Sequence, residues 1–272
     1  MTADVLSERG ARQPRSGWPT WMRSIWHNAF FYRKTWRSSI ISSTLQPLLY
    51  FFAMGLGLGA LVDHARGGVD GVSYLKFVAP GLLAAAALQL GIEECTYPVM
   101  MGLKWVKSYW AKVATPLDAD DVALGHLGWV AFRLLLSSTI FFVVMVIFGT
   151  VTSFWGLLAV PAAVLTGLAT GAPTAAYAAV QKDDAGFPLL FRLGVLPLFL
   201  FSGIFFPITS MPGWVQAIAQ ISPLTRGASL IRSLTLDQGI GVSALISLAY
   251  LSIWFVVGVW LTIRAFRKML IV

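Results

Sequence analysis

The stretch LPLFLFSGIFFPITSMPGWV (residues 196–215) carries a phenylalanine-rich apolar run that stops at Pro207. A second proline, Pro212, follows five residues later, and Trp214 comes soon after it. Proline suits the first turn of a helix, and tryptophan is enriched where a membrane meets water. We therefore interpret Pro207 as the outer end of a membrane span and Pro212 as the start of a short helix at the membrane surface.

The composition of the whole chain also indicates an integral membrane protein. Of its 272 residues, 57% are apolar and 12% are charged, whereas soluble domains contain roughly 25% charged residues. The apolar runs are continuous, which favours helices over the alternation of a barrel. The single cysteine, Cys95, excludes a disulfide within one chain. The net charge of +8 indicates membrane topology, not nucleic-acid binding, because no soluble basic domain is present.

Six apolar segments are long enough to cross a bilayer of about 30 Å. Their approximate limits are 40–62, 74–97, 127–149, 154–180, 188–207 and 240–263. The fourth contains two prolines, so we expect a kink in it. The predicted fold class is an all-α integral membrane protein, whose six-span transmembrane domain occupies residues 40–272.

The distribution of basic residues predicts that both termini are cytoplasmic, because cytoplasmic ends of spans collect Lys and Arg. The N-terminal arm, the loops after the second and fourth spans, and the tail are basic. The opposite side has only Arg66, Lys76, Arg226 and Arg232. Residues 1–17 have no apolar segment typical of a cleavable signal, and we expect them to form a flexible cytosolic arm.

Residues 18–39 predict an amphipathic helix at the inner membrane surface. Apolar side chains recur there at helical spacing while the basic ones lie on other faces. The apolar positions are Trp18, Met22, Ile25, Ala29, Tyr32 and Trp36. The alternative is that this segment is the cytosolic start of a long first membrane helix.

Residues 102–116 predict a second amphipathic helix, in the cytosolic loop between the second and third spans. One face is apolar, three lysines lie off it, and Pro116 ends the helix. The apolar residues are Trp105, Val106, Tyr109, Trp110 and Val113, and the lysines are Lys104, Lys107 and Lys112. Such a helix is suited to docking a soluble partner; the alternative is a helix that rests on anionic lipid.

The outer connection, residues 208–238, predicts a re-entrant hairpin between the fifth and sixth spans. Its two apolar pieces, 213–221 and 224–236, are separated by prolines, and each is too short to span a membrane. We expect this hairpin to dip partway into the outer leaflet.

Four charged residues lie within the predicted spans at similar depth near the inner face: Glu93, Glu94, Arg133 and Arg192. We expect one of the two glutamates to pair with Arg133, the alternative being that each charge reaches water along its own side chain. The fourth span also carries small residues every fourth position, from Gly167 to Ala179. This spacing predicts close approach to another helix, either of this chain or of a partner.

The sequence lacks the G-x-x-x-x-G-K-[ST] phosphate loop and the common hydrolase and zinc motifs. We therefore expect no cofactor, metal or nucleotide site in this chain. Asp118, Asp120 and Asp121 favour a solvated loop and helix start over a metal site. The other function classes are a lipid-modifying enzyme, for which this aspartate loop is the candidate site, and a carrier or channel that works without a partner. A proton- or sodium-coupled carrier usually has carboxylates at mid-membrane, which are missing here.

Four stretches of the chain, taken in order, are similar to the permease subunits of type-2 ABC exporters. The branch that they resemble holds the nodulation-type lipo-oligosaccharide permeases and the daunorubicin-resistance-type permeases. The stretches are WRSSIISSTLQPLLYFFAMGLGLG (36–59), YLKFVAPGLLAAAALQLGIEECTYPV (74–99), ATPLDADDVALGHLGWVAFR (114–133) and LFLFSGIFFPITSMPGWVQAIAQISPLT (198–225).

The resemblance implies that two six-span subunits, identical or homologous, pair in the bacterial plasma membrane among its lipids. Each would engage a separate ATP-binding cassette subunit that holds ATP and Mg. Motion would reach the membrane through the 102–116 loop, and an amphiphilic drug, lipid or glycolipid would leave past the outer hairpin. Four phenylalanines of the fifth span suit such a cargo, although packing against lipid or another helix is the alternative for each: Phe199, Phe201, Phe205 and Phe206.

Overall fold

The computed structural model of the chain describes residues 19–69, 71–236 and 241–271. The predicted arm, 1–17, and the predicted boundary positions 18, 237, 238 and 240 lie outside these ranges. The regular secondary structure within these ranges is helical. The α-helices, in chain order, are α1 (Thr20–Tyr50), α2 (Gly59–Arg66), α3 (Tyr74–Cys95), α4 (Tyr97–Met100), α5 (Ser108–Val113), α6 (Ala119–Ile147), α7 (Ala159–Val180), α8 (Gly186–Leu189), α9 (Leu196–Phe201), α10 (Gly213–Ile221), α11 (Pro223–Thr235) and α12 (Val242–Leu270).

Five helical segments of the described residues are long and apolar enough to cross a membrane. They are Tyr32–Ala65, Tyr74–Trp105, Ala119–Ile147, Phe154–Val180 and Val242–Leu270. The membrane class and the helical fold are therefore as predicted. The predicted fifth span, 188–207, is helical only over Gly186–Phe201, which is about 24 Å long at 1.5 Å per residue. It is shorter because the backbone turns at Gly203, where φ is +72°.

The first helix is continuous across the predicted boundary between an interfacial helix and the first span. α1 passes into a segment of wider turns, Phe51–Leu58, and then into α2 without a break. This continuity matches the alternative of one long first helix. Ser24 of α1 lies so close to Gly125 of α6 that a Cβ there would be 2.4 Å from the serine Cβ, so the start of α1 packs directly on the third span.

α3 and α7 cross with their backbones in contact. A Cβ on Gly91 would lie 2.2 Å from the carbonyl oxygen of Gly167, and one on Gly171 would lie 2.7 Å from the carbonyl oxygen of Gly91. The small residues of the fourth span therefore face the second span of the same chain. This is the close packing that small residues permit between membrane helices.

α12 packs on the other side of α7. The Thr262 hydroxyl donates to the Ala172 carbonyl at 2.7 Å, and Gly258 lies against Pro173. Thus α7, rich in small residues, is sandwiched between α3 and α12 at the centre of the bundle.

The outer connection contains the two helices that the sequence predicts, with breaks at the predicted prolines. α10 begins directly after Pro212, and α11 begins at Pro223. The hydroxyl of Ser222 accepts from the backbone N–H of Leu224 at 3.2 Å, which satisfies one free donor at the start of α11. α11 is largely buried against α3, α7 and α12.

Candidate functional site

The loop between the second and third spans consists of two short helical pieces with one strained residue between them. The second span ends in wider turns over Met101–Trp105, and α5 follows after a sharp reversal. Lys107 makes this reversal with φ of +56°, the only positive φ of a non-glycine residue in the described part of the chain. An L-residue in that region costs roughly 1–2 kcal/mol, so the rest of the loop must hold it in place.

The outward face of the loop is aromatic and basic. Trp105 is 55% exposed and Trp110 is 38% exposed, with Val106 exposed between them in sequence. The Trp110 indole N–H donates to the Leu103 carbonyl at 3.0 Å, which fixes the ring across the end of the second span. Lys107 is exposed and Lys104 is half-buried. We call Lys104, Trp105, Val106, Lys107 and Trp110 the exposed loop face.

Tyr109 belongs to the opposite, buried side of α5, although the helical stripe groups it with the two tryptophans. It is 6% exposed, and its hydroxyl lies 3.1 Å from Nδ1 of His126 on α6. Its ring fills the space where a Cβ of Gly102 would stand, 2.5 Å away. Burial raises the pKa of the Tyr109 hydroxyl well above its usual range. The side chain therefore anchors the loop and does not reach the exposed loop face.

Lys112 is also turned inward. Its Nζ donates to the Ser24 hydroxyl of α1 at 2.9 Å and lies 5.4 Å from the centre of the Tyr109 ring. Burial lowers the pKa of this ammonium group to about 8. Of the six predicted coupling residues, four lie on the exposed loop face and two, Tyr109 and Lys112, tie the loop to the bundle.

Of the four charged residues within the predicted spans, two form an ion pair and the other two are exposed. The Arg133 guanidinium lies 3.3 Å from the Glu94 carboxylate, and the two side chains are 11% and 17% exposed. Glu93 points to the exposed side and accepts from the Gln89 amide at 2.9 Å. Arg192 is exposed. The structure thus brings together Arg133 and Glu94, the second of the two glutamates that the sequence offers.

Aromatic rings complete the environment of that pair. The Arg133 guanidinium lies 5.1 Å from the centre of the Tyr32 ring on α1, and Trp129 packs edge-on against the same tyrosine at 5.3 Å. A cation above an aromatic face is stabilised electrostatically. The helical stripe of residues 18–39 includes Tyr32, but sequence spacing does not indicate that it meets Arg133.

The aspartates before the third span have structural roles. Asp118 and Asp121 form a reciprocal capping box at the start of α6, and Asp121 also accepts from the Thr20 hydroxyl at 2.6 Å. Asp120 binds Arg267 of α12, with 2.6 Å from Nε to the carboxylate. Three or more potential metal ligands do not gather anywhere in the described residues. The loop is a helix start, as its sequence favours.

The four phenylalanines predicted to face cargo differ in their surroundings. Phe205 is 6% exposed and packs edge-on against Phe199 at 5.2 Å. Phe201 and Phe206 are exposed. Phe205 and Phe206 line a cavity of about 600 Å³ at the end of the first membrane helix, together with Leu58, Leu61, Tyr74 and Ser210 among others. Phe205 is thus a buried lining residue of this cavity, and Phe206 is an exposed lining residue.

Arg232 of α11 is a structural residue that sequence reasoning places only as an outer charge. Its guanidinium donates to the Phe77 carbonyl at 3.2 Å and to the Gly203 carbonyl at 3.1 Å, and it lies 4.0 Å from the centre of the Phe77 ring. It therefore links α11 to the second span and to the turn after α9. Backbone carbonyls leave no pattern in a sequence, so these contacts could not be predicted.

Comparison with known proteins identifies the family of this chain. The family model described as ABC-2 type transporter matches residues 21–236. Nodulation protein J of Rhizobium meliloti (strain 1021) is 31% identical over 229 residues, 84% of this chain and 85% of that protein. Nodulation protein J of Rhizobium leguminosarum bv. viciae is 28% identical over 94% of this chain and 96% of its own length. The inner membrane transport permease YadH of Escherichia coli (strain K12) is 23% identical over 75% of this chain and 78% of its own length. The matched region runs from the start of α1 to the end of α11, and the chain belongs to the ABC-2 type transporter family of membrane permeases.

Proposed function

We propose that this chain is the transmembrane permease subunit of an ATP-driven exporter in the bacterial plasma membrane. Its cargo is amphiphilic: a drug, a lipid or a glycolipid. Membership of the ABC-2 transporter family supports the transport role. The names of the relatives, a nodulation protein and an inner membrane transport permease, support the location in the plasma membrane.

The observation that carries this proposal is the exposed loop face. Two exposed tryptophans project from a short loop whose opposite side is anchored by Tyr109 and Lys112. Tryptophan dominates binding energy where proteins associate, and a preorganised surface avoids the cost of ordering on binding. The partner is a separate ATP-binding cassette subunit, which holds ATP and Mg and binds the exposed loop face from the cytosol.

Co-purification of the tagged chain with its ATP-binding subunit tests this assignment. Replacing Trp105 or Trp110 with alanine should reduce the retained partner by about tenfold or more, since a central aromatic contact contributes about 2 kcal/mol. Trp155→Ala is a matched control, because Trp155 is 49% exposed but follows the other end of the third span. Equal retention by all three variants would reject the exposed loop face as the docking surface.

A second permease subunit, identical or homologous, packs on the helix Gly186–Phe201. This helix exposes leucines spaced by four, three and four residues: Leu189, Leu193, Leu196 and Leu200. These side chains give the helix an exposed apolar surface on which another membrane helix can pack. Disulfide formation between two copies of Leu193→Cys tests this contact, and Leu245→Cys, exposed on α12, is the control.

The outer cavity beside Phe206 is the cargo exit. It has room for an apolar chain and is lined mainly by apolar side chains from the first membrane helix and the 203–210 turn. The outer hairpin of α10 and α11 follows this turn and dips into the outer leaflet, and the start of α1 is the cytosolic beginning of the first membrane helix. Phe206→Asp should lower export while the complex still assembles, whereas loss of assembly would mean that Phe206 packs against a partner.

A further inference from the structure

The buried side of α5 joins the loop to three membrane helices through one side chain. The Tyr109 hydroxyl meets Nδ1 of His126 on α6 at 3.1 Å, and its ring packs against Phe266 of α12 with centres 5.5 Å apart. The same ring stands over Gly102 at the end of the second span. Tyr109 therefore contacts the second, third and last membrane helices together.

α5 cannot hold its own position, because it is only six residues long, and isolated helices of that length are unstable in water. Its place is fixed by what it touches. The contacts of Tyr109 with Phe266 and Gly102 are apolar and have no donor–acceptor direction. The contact with His126 is directional, since a hydrogen bond weakens steeply when its angle or length changes. His126 is itself buried, so this bond is shielded from water.

We propose that Tyr109 is a positioning residue for coupling, and that its hydrogen bond to His126 transmits the displacement of α5 to the third membrane helix. This inference rests on the proposed function, because the displacement is the one that an ATP-binding subunit imposes on the exposed loop face. Docking and transmission thus use opposite sides of α5. The two can be separated by mutation.

A fluorescent reporter on the outer side measures the transmitted motion. Ser210→Cys is exposed and Cys95 is buried, so an environment-sensitive dye attaches selectively at position 210. The complex of the full chain with its ATP-binding subunit is placed in nanodiscs, and the probe is ATP with Mg²⁺. In the Tyr109→Phe variant the ATP-driven shift between the two fluorescence states should fall about fivefold, the factor for a hydrogen bond of about 1 kcal/mol. The partner should still co-purify.

Variants of His126 distinguish transmission from a general loss of structure. His126→Asn keeps a polar group near the position of Nδ1, and it should retain most of the response. His126→Leu removes that group and should lower the response as Tyr109→Phe does. The double variant Tyr109→Phe with His126→Leu should be no worse than either single variant, because both remove the same bond. Tyr97→Phe is the control, since Tyr97 lies at the same end of the second span and packs on Phe187.

Each outcome has a defined meaning. A full ATP response in Tyr109→Phe with the partner bound, or equal responses in His126→Asn and His126→Leu, would overturn the inference. A wild-type chain that neither binds the ATP-binding subunit nor responds to ATP would instead refute the proposed function. If Tyr109→Phe unfolds, as thermal unfolding would reveal, the comparison between the two His126 variants decides.

Discussion

Lys112 carries its ammonium group into a partly buried site between α5 and the start of α1. Its pKa is lowered to about 8 from an ordinary value of 10.5. Between these two values the unfolded chain binds more protons than the folded one, so this group makes stability rise with pH in that window. Below pH 8 the lysine is charged in both states and its desolvation cost is fully present.

We therefore predict that the Lys112→Met variant has a flatter stability profile between about pH 8 and 10.5 than the wild type. The measurement is thermal unfolding in detergent, followed by tryptophan fluorescence. Lys268→Met, at an exposed lysine near the end of α12, should keep the wild-type slope. A Lys112→Met profile parallel to the wild type would show that the burial of this charge does not affect stability.

The pair of Glu94 and Arg133 is the second residue-scale case. Removing one partner from a buried ion pair costs roughly 3–5 kcal/mol, so Glu94→Arg and Arg133→Glu should each strongly lower stability. The double reversal should restore most of it. Glu93→Arg is the matched control, because Glu93 is exposed next to Glu94 and should have a small effect. A double variant as unstable as the singles would mean that the charges act separately.

The sequence identifies which charged residues lie near one another, but it does not always show which of them form a pair. The depth of Glu93, Glu94 and Arg133 in their spans predicts a pair near the inner face. It does not choose between two adjacent glutamates, whose side chains differ by about 100° around the helix. That choice depends on the rotation of α3 about its own axis, which the packing of Gly91 on Gly167 of α7 helps to set.

At the crossing of α3 and α7 the two helix backbones approach closely. Gly91→Ala would place a methyl group 2.2 Å from a backbone oxygen that cannot move independently of its helix. The helices must separate, and we predict a loss of roughly 1–3 kcal/mol or more. Thermal unfolding measures it. Gly57→Ala, which has open space around it, should change little, and equal effects of the two variants would contradict this crossing.

Helical periodicity predicts α10 and α11 with their proline breaks. The single helix predicted over 102–116 is wrong in extent, because the chain reverses at Lys107 and α5 covers only Ser108–Val113. Periodicity also does not say which side of a helix is buried. The stripe of Trp105, Tyr109 and Trp110 is a single apolar face in the sequence. In the structure Tyr109 turns inward because Gly102 leaves room for its ring and His126 offers a partner. Both determinants lie outside α5, so the division between anchor and exposed surface could not be predicted.

For the molecule as a whole, the helix Gly186–Phe201 decides the topology. If it crosses the membrane, both termini are cytoplasmic and Ser210 faces outward; if it does not, Ser210 and the end of α12 exchange sides. We predict that Ser210→Cys reacts with an impermeant reagent on intact cells, whereas Lys268→Cys and Ser108→Cys react only after permeabilisation. External labelling of Lys268→Cys would support five crossings and refute the six-span arrangement.

The described bundle combines a closely packed centre with the exposed loop face at the end of the second span. Small residues let α7 pack closely between α3 and α12, and the exposed loop face projects from the end of the second span. Such an arrangement is suited to a permease that is moved from outside the membrane. The proposed function requires that an ATP-binding subunit occupies the exposed loop face in the cell.

A photo-crosslinking amino acid at Val106 tests this most directly, because Val106 lies on the exposed loop face between Lys104 and Trp110 and is 66% exposed. In intact cells, irradiation should join the chain to its ATP-binding cassette subunit, and the same amino acid at Trp155 should not capture that subunit. Failure to capture an ATP-binding subunit at position 106 while its expression is verified, or reaction of position 106 with a reagent confined to the outer medium, would contradict the account.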